Sequence, residues 1–211
     1  MEKQKNTRRR PPKFELVAGQ VCLDFVNTLD DRFSAEPKEL LKSYLDLARF
    51  GEDTQILSPS EVDHLFELSQ SSPDAAKRAL GAAIQMREAV SSVFWALLHK
   101  KPVPPAALFT LNQYIQMVAQ HSNLVQTKAG FEWRFDAAGN HFDAPLWPIA
   151  RSAADLLASA ELAYVRACDS PTCQWLFLDM SKNHKRRWCD MTKCGNRAKF
   201  RSFYARQKKS G

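Results

Sequence analysis

Cys168-Asp169-Ser170-Pro171-Thr172-Cys173 and, fifteen residues further on, Cys189-Asp190-Met191-Thr192-Lys193-Cys194 place four of the five cysteines in the last fifth of a 211-residue chain. Two C-x4-C pairs across such a gap supply what a tetrahedral metal requires. Each pair bites from one tight turn, and the segment between them folds back to bring the turns together. Two disulfides could use the same thiols, but nothing points to an oxidising compartment. Met1 to Lys13 is basic and polar, without the apolar stretch of a signal peptide. No run approaches the ~18 apolar residues of a membrane span. A cytoplasmic location is therefore expected, where thiols stay reduced and clustered cysteines hold metal. The reading is one structural Zn2+ on Cys168, Cys173, Cys189 and Cys194. Cys22 lies far away in Val21-Cys22-Leu23 and reads as a small core residue.

Charge divides the chain in three. Residues 1–13 carry six Lys/Arg against one Glu, and residues 168–211 carry eleven Lys/Arg against Asp169, Asp179 and Asp190. Residues 14–167 are acidic, with 13 Lys/Arg against 19 Asp/Glu. An acidic body with two basic ends suggests contact with a polyanion. A zinc tetrathiolate carries a net charge of about −2, so some of the tail's cations neutralise the site itself. The excess survives that subtraction.

Residues 1–13 are expected as a disordered basic arm, whose Arg8-Arg9-Arg10 adds phosphate contacts or is simply a tolerated tail. Phe14 to Val17 reads as a short strand before a turn, Val21 to Leu29 and Leu40 to Phe50 as helices. Ser58-Pro59-Ser60-Glu61 starts a helix that runs to about Ser69: cap, proline at the first position, and glutamate three after the cap. Helices follow over Pro73 to His99 and from Pro105 to His121. Strands are expected at Leu124 to Thr127 and Phe131 to Phe135, then a turn over Asp136 to Asn140. A last body helix is expected from Pro145 to about Tyr164, leading into Cys168. The fold class is α+β: a predominantly α-helical body with a small antiparallel β element, plus a C-terminal treble-clef-like four-cysteine zinc module. The boundary is expected near residue 166, without a flexible linker.

Within the module, Trp175 to Asp179 is strand-like, and Ser181 to His184 would turn it back toward Arg186-Arg187-Trp188-Cys189. Cys194-Gly195-Asn196 then opens a helix whose positive end would stabilise the thiolates. His184 could replace one cysteine as ligand, but with four cysteines already paired it reads as a turn or surface residue. On a wheel of about 100° per residue, Arg197, Arg201, Tyr204 and Lys208 share one stripe, and Phe200 and Phe203 cluster elsewhere, free to pack on the hairpin. With Arg186, Arg187 and Lys199, that stripe is the candidate nucleic-acid surface.

The run from Cys168 to Asp179, then Ser181-Lys182-Asn183, Arg186-Arg187-Trp188-Cys189 and Cys194-Gly195-Asn196-Arg197, closely resembles the CGNR zinc-finger family. Leu23-Asp24-Phe25-Val26-Asn27-Thr28 and Leu146 to Leu157 resemble the ABATE domain that usually precedes this finger. The resemblance implies a bacterial stress-induced transcription regulator, with an ABATE-like ligand-sensing domain over 14–166 and a DNA-binding finger over 167–211. Asp190 departs from the family's commoner Ser and sets a carboxylate beside the supposed DNA surface.

Arg87 is the odd residue of the body. Leu80, Ile84, Arg87, Ser91, Phe94 and Leu98 follow helical spacing, so Arg87 lies on or beside an apolar face and needs a partner. Asp24, with Asn27 and Thr28, is one candidate. The group is either a buried Arg–Asp tie or, as Asp24, Asn27, Thr28 and Arg87 together, a pocket for a small anionic ligand. Arg151 and Asp155 form an i, i+4 surface pair.

No phosphate loop, H-E-x-x-H or nucleophile elbow is present, and four thiolates leave zinc no open position for water, so no enzyme is expected. The combined reading is a zinc-dependent DNA-binding transcription regulator, possible as a homodimer, whose body senses a small ligand. An RNA- or ribosome-associated protein and a zinc module serving as a structural or protein-interaction element are the alternatives.

Overall fold

The computed structural model of the protein describes residues 13–135 and 141–210, with the helical backbone alone for 204–206 and 208–210. The expected basic arm, apart from Lys13, and the expected turn at 136–140 lie outside the described residues. The helices are α1 (Val21–Val26), α2 (Tyr44–Asp53), α3 (Pro59–Ser71), α4 (Pro73–Leu98), α5 (Pro105–His121), α6 (Leu146–Leu157) and α7 (Asn196–Ser210). The strands are β1 (Leu29–Asp30), β2 (Lys38–Glu39), β3 (Ser122–Thr127), β4 (Gly130–Phe135), β5 (Val165–Ala167) and β6 (Leu176–Leu178). They pair as three separate antiparallel ladders, β1–β2, β3–β4 and β5–β6. The molecule is thus a predominantly helical α+β fold with small antiparallel elements.

Local chemistry explains the ends of the helices. Ser58 and Glu61 form the expected capping box at the start of α3, with Pro59 inside it. A second box, Ser43 with Asp46, starts α2 four residues later than apolar spacing alone suggests. The Asp46 carboxylate accepts the Lys42 and Ser43 N–H groups at 3.0 and 2.9 Å, which keeps Leu40 and Leu41 out of the helix. The expected long helix to Tyr164 stops at Leu157. Ser159 Oγ accepts the Glu161 N–H at 3.2 Å and opens a separate 3-10 turn, Ala160–Tyr164.

The strand expected at Phe14 to Val17 does not form. Its amides go to carboxylates instead of a neighbouring strand: Lys13 and Phe14 donate to Asp53 Oδ2, and Val17 and Ala18 to Asp24 Oδ1 at 3.0 Å each. α1 ends at Val26, short of Leu29, because Asn27 and Thr28 turn their side chains to other partners.

One core joins body and tail. Phe25, Phe50, Met86, Phe94 and Trp147 of the helices belong to the same buried cluster as Leu176, Phe177 and Leu178 of β6 and the four tail cysteines. Cys22 is fully buried there, and burial pushes its thiol up to about 12, so it stays a neutral core sulfur. Among the described residues no helix is long and apolar enough to cross a membrane.

Candidate metal centre and basic helix

β5 delivers Cys168, whose N–H donates to the Trp175 carbonyl at 2.8 Å. The Ser170 carbonyl accepts from Cys173 N at 3.0 Å and Gln174 N at 3.2 Å, closing a tight knuckle. Gln174 takes a left-handed φ of 54°, which reverses the chain into β6. The hairpin therefore spans the first cysteine pair, with Val165 opposite Leu178. The hairpin expected after Asp179, returning through Arg186 to Cys189, is not formed, because the fully buried Asp179 carboxylate gathers the loop around itself. It accepts from Ser181 N, Ser181 Oγ and Arg186 N at 3.0, 2.6 and 2.8 Å.

The second knuckle begins at Asp190, whose carboxylate accepts from Thr192 N and Oγ1 at 2.6 and 2.7 Å. The carboxylate that looks misplaced beside a basic surface thus caps the Met191–Gly195 turn holding Cys194. α7 follows immediately. The Asp169 N–H donates to the Arg187 carbonyl at 2.9 Å and ties the two knuckles together.

The four Sγ atoms lie within 4.8 Å of one another, with Cys173–Cys189 at 3.6 Å and Cys189–Cys194 at 3.7 Å. Zinc–thiolate bonds of about 2.3 Å set tetrahedral sulfurs about 3.8 Å apart, whereas a disulfide needs about 2.05 Å. All five cysteines are free, so the disulfide reading has no bond to stand on. Electrostatics agrees. Hydrogen bonds from Cys173 and then Cys189 lower the Cys168 thiol, and donating those same bonds, more than charge or burial, raises Cys173 and Cys189. Cys194 is raised by burial first and by Cys168 second. Four buried sulfurs ionise together only around a cation. The donor set is that of one structural zinc, closed to water by its four thiolates.

His184 is not among these sulfurs. Its Nδ1 lies 2.7 Å from the Asp179 carbonyl oxygen, and its ring stacks on Tyr164 at 3.7 Å. It is a turn residue.

The candidate nucleic-acid residues divide. Arg186 turns inward: Nε donates to the Trp188 carbonyl, Nη2 to the Cys189 carbonyl, and the guanidinium covers Phe177 at 4.6 Å. Arg187 pairs with Asp169 at 2.6 Å and stays largely exposed. Arg197 and Lys199 are exposed on α7, and Arg201 Nη2 lies 3.4 Å from Ser170 Oγ. Tyr204 and Lys208 lie on the same helix with side chains outside the described residues. One expectation reverses. Phe200 and Phe203 are not part of the shared core that holds Leu176, Phe177 and Leu178 of the hairpin, and both keep half or more of their surface exposed.

The finger is welded to the body. Asn27 mimics a strand, donating from Nδ2 to the Leu176 carbonyl and accepting the Leu176 N–H at Oδ1, both at 2.9 Å. Leu178 N donates to the Ala18 carbonyl at 2.7 Å, Trp175 Nε1 to Asp30 at 2.9 Å, and Lys193 pairs with Glu15 at 2.5 Å. Between these bonds lies a cleft of about 490 Å3, with Lys13, Asp31 and Lys38 on the body side and Cys194 and Arg197 on the finger side.

Arg87 has a different partner from the one expected. Its guanidinium makes a two-pronged pair with Glu39, Nη1 to Oε1 and Nη2 to Oε2 at 2.7 Å each, and Nη1 also donates to Thr28 Oγ1 at 3.2 Å. Glu88 accepts from Nε at 3.0 Å and pairs with Arg32 as well. Asp24 is not part of this tie, since its oxygen is committed to the Val17 and Ala18 amides. Glu39 escapes a reading of the sequence because it sits in a two-residue strand, β2, with no periodicity to mark its inward side. Arg151 and Asp155 pair at 2.8 Å as their spacing predicts.

Residues 19–160 match the ABATE family, described as "Putative stress-induced transcription regulator", and residues 164–207 match the CGNR zinc finger. A search of curated proteins found no match.

Proposed function

Since the chain belongs to the ABATE family, with a CGNR zinc finger behind that domain, we propose that it is a zinc-dependent transcription regulator that binds DNA through α7. One observation carries this reading: the last zinc ligand runs directly into a helix with six Lys/Arg and no Asp or Glu. The metal fixes the first turn of that helix, and Arg197, Lys199 and Arg201 meet phosphates. Arg187 lies on the same module, with Tyr204 and Lys208 further along the helix. Arg186 is left to hold the knuckle.

Regulation by a small ligand of the body belongs to the same reading. Asp24, Asn27, Thr28 and Arg87 all bond within the protein, which favours a structural tie over a pocket. The cleft between body and finger gives a ligand a route to α7.

Duplex binding by fluorescence anisotropy across a salt series tests the proposal. Arg197→Ala with Arg201→Ala should weaken binding and flatten the dependence of log K on log salt by about 0.9 for each phosphate no longer neutralised. Zinc chelation should abolish binding. Competition with structured RNA at the same salt decides between the two nucleic acids. A second reading, the finger as a structural cap, is favoured by the Asn27 and Trp175 bonds to the body. It predicts that the double arginine variant leaves polyanion affinity unchanged.

A further inference from the structure

α7 turns outward the side that a helix in a folded domain ordinarily buries. Phe200 is 65% exposed and Phe203 51%. Three residues apart, the rings lie on one helix face. With Asn196 and Lys199 they border a shallow hollow of about 450 Å3. Arg197 points away from it, lining the cleft toward the body, and Arg201 leans toward Ser170. Two aromatic rings therefore stand beside one lysine, flanked by arginines, on a helix without a single acidic residue.

Charge decides what could cover such a face. A second copy would bring two helices of six Lys/Arg each together, like charge on like charge. A lipid surface takes a helix with a broad apolar face and its cations on the opposite side. Here Lys199 shares the face of the rings, and only two rings make it up. A nucleic acid meets both demands. Its phosphates match the cations, and its bases present flat apolar faces to aromatic side chains.

We propose that Phe200 and Phe203 touch nucleobases directly, wedging into an opened base step of the DNA whose phosphates Arg197, Lys199 and Arg201 hold. This deepens the regulator reading and rests on it. The cations set affinity and salt dependence, and the rings add an interaction that salt does not screen. The DNA bends or unstacks where they enter.

The test uses the full zinc-loaded chain and a short duplex with a central 2-aminopurine, which brightens when unstacked. Wild type should brighten it on binding. Phe200→Ala and Phe203→Ala should each weaken binding roughly 5- to 150-fold, the range for removing one base–aromatic stack, with the salt slope unchanged. The double variant should leave the probe dark. Phe200→Leu, which keeps an apolar wedge, should retain brightening, and Arg201→Ala should flatten the slope while the bound complex still brightens. Both rings are exposed, so zinc content and helicity should not change.

If wild type binds with a steep salt slope but the alanine variants bind equally and the probe stays dark, the base contact is refuted and DNA binding stands. If wild type binds no duplex at low salt, both readings fall. If the alanine variants instead release the chain from phosphatidylserine vesicles, or turn a dimer into a monomer, at unchanged duplex affinity, the face belongs to lipid or to a second copy.

Discussion

Arg87 in the body and the four cysteines in the tail are both buried ionisable groups, yet they are satisfied by opposite means. Arg87 finds two carboxylates and a hydroxyl from its own chain, Glu39, Glu88 and Thr28. The sulfurs have mainly one another: hydrogen bonding to Cys168 pushes Cys173 and Cys189 up, and burial pushes Cys194 up. The body thus meets the charge of Arg87 from its own chain, although Trp147 Nε1 lies buried without a hydrogen-bond partner, whereas the tail's four thiols call for a cation. Because Leu176, Phe177 and Leu178 lie in the common core, the tail's dependence reaches the body as well.

The sharpest way to break this contrast is to remove the metal. Structural zinc supplies on the order of 10–16 kcal/mol of folding free energy to such modules. Chelation or Cys189→Ser should leave residues from about 165 onward open to limited proteolysis and lower the melting temperature of the remainder. A tail that stays protease-resistant without zinc would erase the distinction.

Arg87→Ala attacks the other side. It empties a buried site beside Glu39, whose side chain keeps about a third of its surface in water, and should destabilise the protein by about 3 kcal/mol, the low end for a broken buried pair, read by urea unfolding. A stable variant that instead lacked a thermal-shift response to small anions would revive the pocket reading of Asp24, Asn27, Thr28 and Arg87.

Asn27→Ala tests the weld. Both its bonds to Leu176 are buried, and removing them should cost about 2–4 kcal/mol. A double-mutant cycle with Trp175→Phe, which removes the bond to Asp30, should show whether the two seams act as one.

Asp24 gives the smallest effect and the one with a pH signature. Burial raises its carboxyl from the ordinary 3.8 to about 6, against the pull of the Ala18 and Val17 amides. The folded state thus holds the proton more tightly than the unfolded chain. The stability this contributes is complete below about pH 4 and lost as pH rises through about 6. Relative to Asp24→Asn, which keeps an acceptor for those amides, wild type should lose about 2–3 kcal/mol across that window. Thermal melts of the two proteins at matched pH would show it. A constant difference would mean that Asp24 titrates normally.

Much of this is legible in residue order. The cysteine spacing announces the metal site, Ser58 and Glu61 announce α3, and the prolines at 73 and 105 mark the starts of α4 and α5. These signals are local: a cap, a first-turn proline or a knuckle involves atoms a few residues apart. The misreadings are of two kinds: α2 starts late and the last body helix stops early through local caps, Ser43 with Asp46 and Ser159 with Glu161, while others turn on atoms further apart in sequence. Phe14 to Val17 has the composition of a strand, but Asp53 and Asp24 take its amides. Asp179 reads only as the end of a strand-like run, yet it lies fully buried and organises the loop expected to be half a hairpin. Phe200 and Phe203 follow the pattern of a buried face, but both stay outside the shared core.

By itself the sequence determined which groups must be gathered: four thiols that need a cation, an arginine that needs counter-charge, and a terminal helix of unrelieved positive charge. Tertiary structure alone decided which partners they meet and which way α7 is rolled. The requirement belongs to the chemistry of each side chain and travels with it. The partner depends on which distant surfaces the packed core leaves within reach, and no local pattern encodes that.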